Sequence, residues 1–408
     1  MRKLGHMTEH ADIDWIPAGT VFGVDDMTFY QDKGVRPIDQ VLGDIDLVVT
    51  GPHATGAFPA EMEPFVDVNL TRRLQYDFTD VSTSPMARRW AQIDPHTLYI
   101  ENPHPRAVRD ANRPRPVDLL ASLKDAFGRL AADPGGRPSL ANVDAVRPVT
   151  FGYLPVLRCP TDDVEWAALV EALTTAMAGG VDRYETLRDD LIAKIVDAKL
   201  AKLATLDPTT CTPTQWNSAT HLDVLSIHDT MNHTARPDGA VCLERQPNDR
   251  LPNVVALSNR GDSRGEMTES DATTLRDEIS VPSMEPARLR SIGYAYRQAF
   301  DAWEPDDVGF NRPYLGGHET QVAGPRLRAL ASRAAVRLPG AKPASLSLGA
   351  YQNEFLREFL LGEATVELMM QPGATWHNPP DDRIEWLAER LKAAHDLVRE
   401  HGTQLDPR

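Results

Sequence analysis

Histidine and carboxylate side chains recur in this chain where the backbone leaves an apolar run. His53 stands in Gly51-Pro52-His53-Ala54-Thr55-Gly56, directly after Ile45–Thr50. His228, followed by Asp229, closes a second such run, His221–Ile227. Two imidazoles at two strand ends could supply nitrogen ligands to zinc, which in a hydrolase takes three protein ligands and keeps one position open. The third ligand must be a carboxylate or another histidine. Asp77 and Asp80, in Tyr76-Asp77-Phe78-Thr79-Asp80, are candidates, and so are Glu61 and Glu63. Zinc brings the pKa of a water toward about 7 and polarises a carbonyl. Glu354, in Gln352-Asn353-Glu354-Phe355-Leu356-Arg357, could serve as general base for that water. In the polar loop Asp110-Ala111-Asn112-Arg113-Pro114, the Arg113 fork matches a substrate carboxylate and the Asn112 amide adds a donor.

One more loop belongs with these. Asn311-Arg312-Pro313-Tyr314-Leu315-Gly316-Gly317-His318-Glu319-Thr320 packs ring and ion-capable side chains around two glycines. Adjacent glycines permit positive φ and a close backbone approach to a ligand. Pro313 fixes the entry direction.

The elements that must position these groups alternate between strand and helix. Ile45–Thr50, Thr97–Glu101, His221–His228, Asn253–Leu257 and Ser345–Leu348 read as strands. Pro116–Ala132, Met284–Trp303, Leu327–Val336, Phe355–Met370 and Asp382–His401 read as helices. Asp162–Leu206 reads as two helices broken at Gly179-Gly180, with Leu191, Ile192, Ile195, Val196 and Leu200 at helical spacing. This pattern predicts an α/β fold of three layers, α/β/α, around a mixed central sheet, with strand C-termini carrying the site. No linker or repeat divides residues 1–408, so a single domain is expected, with 162–208 as a helical insertion.

The chain has 408 residues, 41% hydrophobic and 25% charged, enough to bury a core. Its formal net charge of −16 argues against nucleic acid and anionic membranes as partners, though a local basic pocket remains compatible with it. Three cysteines, Cys159, Cys211 and Cys242, form no C-x-x-C pair, which argues against a disulfide framework or a structural zinc cluster. Met1–Ile16 lacks the apolar core of a secretory signal, and no run nears the ~18 apolar residues of a membrane span. A cytoplasmic enzyme is the expectation. The oligomeric state is left open.

Taken in order, these segments resemble the N-formylglutamate amidohydrolase family, within the zinc-carboxypeptidase-like hydrolases. The family's strand followed by Pro-His-Ser-Gly is matched by Pro52-His53-Ala54-Thr55-Gly56, and its later proline by Pro59. Its acidic pair is matched by Asp77-Phe78-Thr79-Asp80, and its Asp-x-Asn-Arg-Pro loop by Asp110–Pro114. Its Leu-Asp-x-His-Ser-Met strand end is matched by Leu225–Met231, and its Asn-x-Pro-Tyr-x-Gly-Gly loop by Asn311–Gly317. Gln352, Glu354 and Arg357 match its Gln-x-Glu-x-x-Arg segment.

The resemblance implies zinc held by His53, His228 and an acidic residue best aligned with Asp77. It implies Glu354 as general base and then proton donor to the leaving amine. Asn112 and Arg113 would grip a substrate carboxylate, while Tyr314, Gly316 and Gly317 would line the pocket. The implied substrate is a small amide, N-formyl or N-acyl amino acid-like. A zinc peptidase or amide-forming enzyme on a larger substrate is the alternative, as is a metal-free binding protein on the same fold. The chain departs from the pattern after the double glycine. Thr320-Gln321-Val322 stands where the family has Thr-Arg-His, and with it goes an anion-binding arginine. His-Ser becomes His228-Asp229. A different amide, in specialised metabolism, is therefore as good an expectation as the family's namesake substrate.

Overall fold

Seven strands form the central sheet of the computed structural model, which describes residues 13–207, 209–267, 281–337 and 346–405. They are β1 (Thr28–Phe29), β2 (Leu47–Gly51), β3 (Thr97–Glu101), β4 (His221–Thr230), β5 (Val255–Ser258), β6 (Val308–Phe310) and β7 (Ser347–Leu356). Their order is β6-β5-β7-β4-β2-β3-β1. The four central strands β7, β4, β2 and β3 run parallel. β5 lies antiparallel to β7, and β1 antiparallel to β3, so the sheet is mixed.

The parallel strands are buried on both faces and read as near-continuous apolar runs for that reason. Period-two alternation sends Leu47, Val49, Leu225 and Ile227 to one face. There they meet α1 (Thr83–Ile93), α5 (Pro286–Phe300) and α7 (Asp381–His401) through Trp90, Tyr296 and Leu391. Val48, Leu222, Val224 and Ala350 take the other face. They are covered by α3 (Asp163–Gly179), α4 (Val181–Leu203) and α6 (His318–Arg337), with α2 (Leu119–Ala132) packed in the same cluster. Each fully buried Leu, Ile or Val contributes roughly 1.5–3 kcal/mol before entropic costs. The result is the expected three-layer α/β/α architecture.

Local chemistry sets the helix ends. Asp162 caps α3 by accepting the Glu165 N–H at 2.9 Å. The Gly179-Gly180 pair separates α3 from α4, as its composition predicts. Two expectations need correction. The last strand does not stop at Leu348 but continues to Leu356, so Glu354 lies within β7 rather than after it; Ser345 falls outside the described residues. The helix expected at Phe355–Met370 is two short ones, Arg357–Leu361 and Glu363–Met369, parted by Gly362 at φ +78°.

Candidate metal centre

The register of the sheet brings the first chemical groups together. On β4, the residues facing α4 and α6 change from Val224 to Ser226 to His228. On the adjacent parallel strand β7, Gln352 pairs with Ser226 and Glu354 with His228. Paired residues share a face, so Glu354 and His228 are neighbours. His53 sits just past the end of β2, two strands from β7. Its carbonyl accepts the Asp80 N–H at 2.9 Å, which fixes Asp80 opposite the imidazole.

His53, Asp80 and His228 form a buried group whose ligand atoms all lie within 4.8 Å of one another. Asp80 Oδ2 is 3.1 Å from His53 Nδ1 and 2.8 Å from His228 Nδ1. The outer ring nitrogens face fixed partners. His53 Nε2 lies 2.6 Å from Asp110 Oδ1, which also accepts the Asn112 N–H at 2.7 Å. An ionised carboxylate only accepts, and both ring nitrogens of His53 face one; burial and Arg106 oppose protonation, but Asp110 and Asp80 prevail and raise its pKa. His228 Nε2 lies 2.9 Å from Ser226 Oγ, and Ser226 donates its own hydrogen to Glu319 Oε2 at 2.8 Å. Both Nδ1 atoms face one oxygen, Asp80 Oδ2, and a bound cation would take the place of the protons they share with it. Three electron-rich atoms converging in a buried site suit a cation, and distal N–H groups tied to oxygen partners are the usual support for metal-bound histidines.

Charge balance fits this arrangement. Burial opposes ionisation of Asp80, but Arg106, His53 and His228 outweigh it and hold the carboxyl well below its usual range. Arg106 Nη2 donates to Asp80 Oδ1 at 2.9 Å. Burial also opposes ionisation of Asp110, and there His53 and Arg106 again prevail. Glu354 goes the other way. Burial, reinforced by the Asp80 carboxylate, raises its pKa against His228 and Thr230. Thr230 Oγ1 donates to Glu354 Oε1 at 2.8 Å and Gln352 Nε2 to Oε2 at 2.9 Å.

The double-glycine loop positions this carboxylate indirectly. Gly317 N–H donates to Gln352 Oε1 at 2.8 Å, which turns the Gln352 amide nitrogen toward Glu354. Gly316 adopts φ +100°, which strains any other residue, and a Cβ on Gly317 would strike the Asn112 amide. Tyr314 is held by Arg245 Nη1 on its hydroxyl at 2.8 Å and by Ser258 Oγ on its carbonyl at 2.8 Å.

A cavity of about 670 Å³ opens over the group, lined by His53, Asp80, His228 and Glu354. Asn112, Arg113, Tyr314, Gly316 and Gly317 line it too. Arg113 Nε is engaged by Asp144 at 3.0 Å, and Asn112 Oδ1 accepts the Glu319 N–H at 2.9 Å.

Asp77 is not part of this group. It ends the short helix Arg72–Asp77, and its carboxyl lies 3.9 Å from Arg357 Nη1. Arg357 also pairs with Asp229 and donates to the Thr79 carbonyl, so it organises the turn that presents Asp80. Glu61 is elsewhere, accepting the Gly19 N–H at 2.6 Å, and Glu63 is exposed.

Sequence reasoning missed three supporting residues: Arg106, Ser226 and Glu319. Ser226 had a signal, since it lies two residues before His228 on the same strand face. Glu319 had only its place beside the glycines. It is buried and accepts from Thr50 Oγ1 at 2.8 Å, Tyr184 OH at 2.7 Å and Arg188 Nη1 at 2.5 Å, besides Ser226. Tyr184 and Arg188 come from α4, inside the helical block.

No family model matches the chain, and no curated protein does. Among solved structures, it is similar to an N-formylglutamate amidohydrolase from Ralstonia eutropha JMP134. That match has 14% identity and a TM-score of 0.48, and covers 87% of this chain and 93% of the other. A gene product of Agrobacterium tumefaciens is similar at 13% identity and a TM-score of 0.39, over 88% of this chain and 92% of the other. Among the described residues, no helix is long and apolar enough to cross a membrane.

Proposed function

We propose that this chain is a metal-dependent amidohydrolase, with zinc held by His53, Asp80 and His228, acting on the C–N amide of a small molecule that bears a carboxylate. The observation that carries this reading is the convergence of two imidazole nitrogens and the Asp80 carboxylate beside Glu354 in one cavity. Zinc bound there would polarise the amide carbonyl and acidify the attacking water. Glu354 takes a proton from that water on its carboxylate and later delivers it to the departing nitrogen. Burial raises its pKa above the usual carboxylate range, the direction that helps it hold the proton between the two transfers. Arg113 and Asn112 orient the substrate, with Tyr314 and the Gly316-Gly317 backbone as the facing wall. A zinc peptidase or amide-forming enzyme on a larger substrate is the second reading, favoured by a cavity of about 670 Å³.

The test is metal content and turnover together. Purified protein should carry close to one equivalent of divalent metal, lose activity on N-formyl or N-acyl amino acids on chelation, and regain it with zinc. Glu354→Gln should keep the metal and lower kcat by about 10²–10⁴-fold. Full activity in protein holding less than a tenth of an equivalent of any metal would sink the reading. Parallel assays on short peptides separate it from the second reading.

A further inference from the structure

The cavity inverts the charge of the molecule around it. The chain carries −16 overall, yet Arg106, Arg113, Arg137, Arg147, Arg245 and Arg260 all line this space. Four carboxylates line it as well, Asp80, Glu244, Asp249 and Glu354. Two of these belong to the metal centre, and Glu244 is paired with Arg250 at 2.6 Å. Arg106 is matched by Asp80 and Arg113 by Asp144. Arg245 is bonded to Tyr314, and Arg260 Nη1 donates to the Gly316 carbonyl at 2.9 Å.

Like Arg245, Arg147 and Arg137 have no carboxylate within ion-pair distance among the described residues, and both lie over the Tyr153 ring. Arg147 is only 9% exposed, and its Nε donates to the Val149 carbonyl at 3.1 Å. Asp144 acts on it only from beyond ion-pair distance, so an oxyanion ligand would bring this guanidinium a close counter-charge that matches its fork. Both arginines belong to a ladder of alternating cations and rings that starts at a metal ligand. Arg106, bonded to Asp80, lies 4.8 Å from the Phe151 centroid. Arg147 lies 5.0 Å from Phe151 and 5.3 Å from Tyr153. Arg137 lies 6.0 Å from Tyr153. Arg106 and Arg147 are buried and Arg137 is exposed, so the ladder climbs from the metal centre to the cavity mouth. Phe151, itself 37% exposed, stands between them.

We infer that the cavity takes an elongated amide whose end remote from the scissile bond carries an oxyanion, a carboxylate or a phosphate, seated on Arg147 and Arg137 beside Phe151 and Tyr153. This rests on the amidohydrolase reading only for the scissile end. The remote anion accounts for the volume of the cavity and for two arginines that the metal chemistry does not use.

The experiment reads binding, so it stands apart from turnover. Synthetic N-acyl amino acid probes share one chain and differ only at its far end: carboxylate, phosphate ester or neutral methyl ester. Both orientations about the amide are made. Calorimetric titration into metal-loaded Glu354→Gln protein should show the anionic probes binding at least about tenfold tighter than the ester. The carboxylate-to-phosphate ratio identifies the oxyanion. Arg147→Met in that background should erase the advantage while moving the ester's Kd less than about twofold, and Arg137→Met should erase part of it. Equal binding of ester and anions in both orientations overturns the inference, as does an equal loss for all probes in Arg147→Met. Where Arg147→Met does not fold, Arg147→Lys and Arg137→Met decide, since an undiminished anionic advantage in both is also fatal. An anionic preference without any amidase activity would sink the proposed function and leave this subsite standing.

Discussion

At the scale of single residues, the reactive types were legible and their assignment was only partly so. His53 and His228 stand at or near strand ends and Glu354 inside β7, and all three line one cavity. Between Asp77 and Asp80 the sequence offers no physical criterion, because two carboxylates three residues apart in a turn face different ways. The backbone bond from Asp80 N–H to the His53 carbonyl brings Asp80, not Asp77, beside the imidazoles, and only tertiary structure forms that bond. The two aspartates should therefore separate cleanly in a metal titration. Asp80→Ala should weaken zinc binding by more than about 100-fold, since it removes a donor rather than a supporting contact. Asp77→Asn should leave zinc affinity within about threefold, because its carboxyl serves Arg357. Competition with a fluorescent chelator measures both, and the reverse order would move the site back to Asp77.

At the scale of elements, the strands around the site were readable except where they turn polar. The sequence suggests a strand only to Leu348 and a helix from Phe355, because buried strand positions such as 352–354 are rarely Gln, Asn or Glu. Gln352 bonds Gly317 and Glu354, Glu354 accepts from Thr230, and Asn353 Nδ2 donates to Tyr296 OH at 3.3 Å. α6 was read only from Leu327 because Gly324 and Pro325 look like breakers. Packing of Ala323, Leu327 and Leu330 in the core overrides that local preference. The earlier helix start matters, because it turns Glu319 inward at the first turn of α6. Glu319 then links α4, through Arg188 and Tyr184, to Ser226 and on to His228. We propose that the helical block braces the metal centre along this path. Ser226→Ala should weaken zinc binding by about 10–100-fold, the usual cost of losing a ligand's outer partner. Arg188→Met should give a smaller loss in the same direction. Zinc affinity unchanged in Ser226→Ala, in protein that melts like the parent, would remove the brace.

At the scale of the whole molecule, composition was least informative. A net charge of −16 says nothing of a cavity wall rich in arginine, since the sum hides its distribution. It also hides ionisable groups inside the core. His395 on α7 is buried 4.9 Å from the Trp90 ring centroid and 6.0 Å from that of Tyr296, with Tyr351 OH 3.4 Å from Nε2. Burial, helped by Arg399, lowers its pKa from 6.5 to about 3. A lowered histidine pKa means that between about 3 and 6.5 the unfolded chain binds a proton the folded chain refuses. Stability from this residue is therefore intact above pH 6.5 and drains away as pH falls toward 3. Other groups pull the opposite way over part of the range. Asp229 is pushed up to about 7 by burial, with the Asp80 carboxylate adding to the effect, and so favours the folded state as pH falls. The total curve is thus a poor test, and a difference between two proteins is a good one. His395→Phe keeps the ring packing and removes the titration. Its urea-unfolding free energy should lie below the parent's at pH 7. Below pH 6.5 it should gain on the parent by roughly 1.4 kcal/mol per pH unit. A gap that stays constant from pH 7 to pH 5 would mean that His395 is protonated in the core, with Asp94 as its counter-charge.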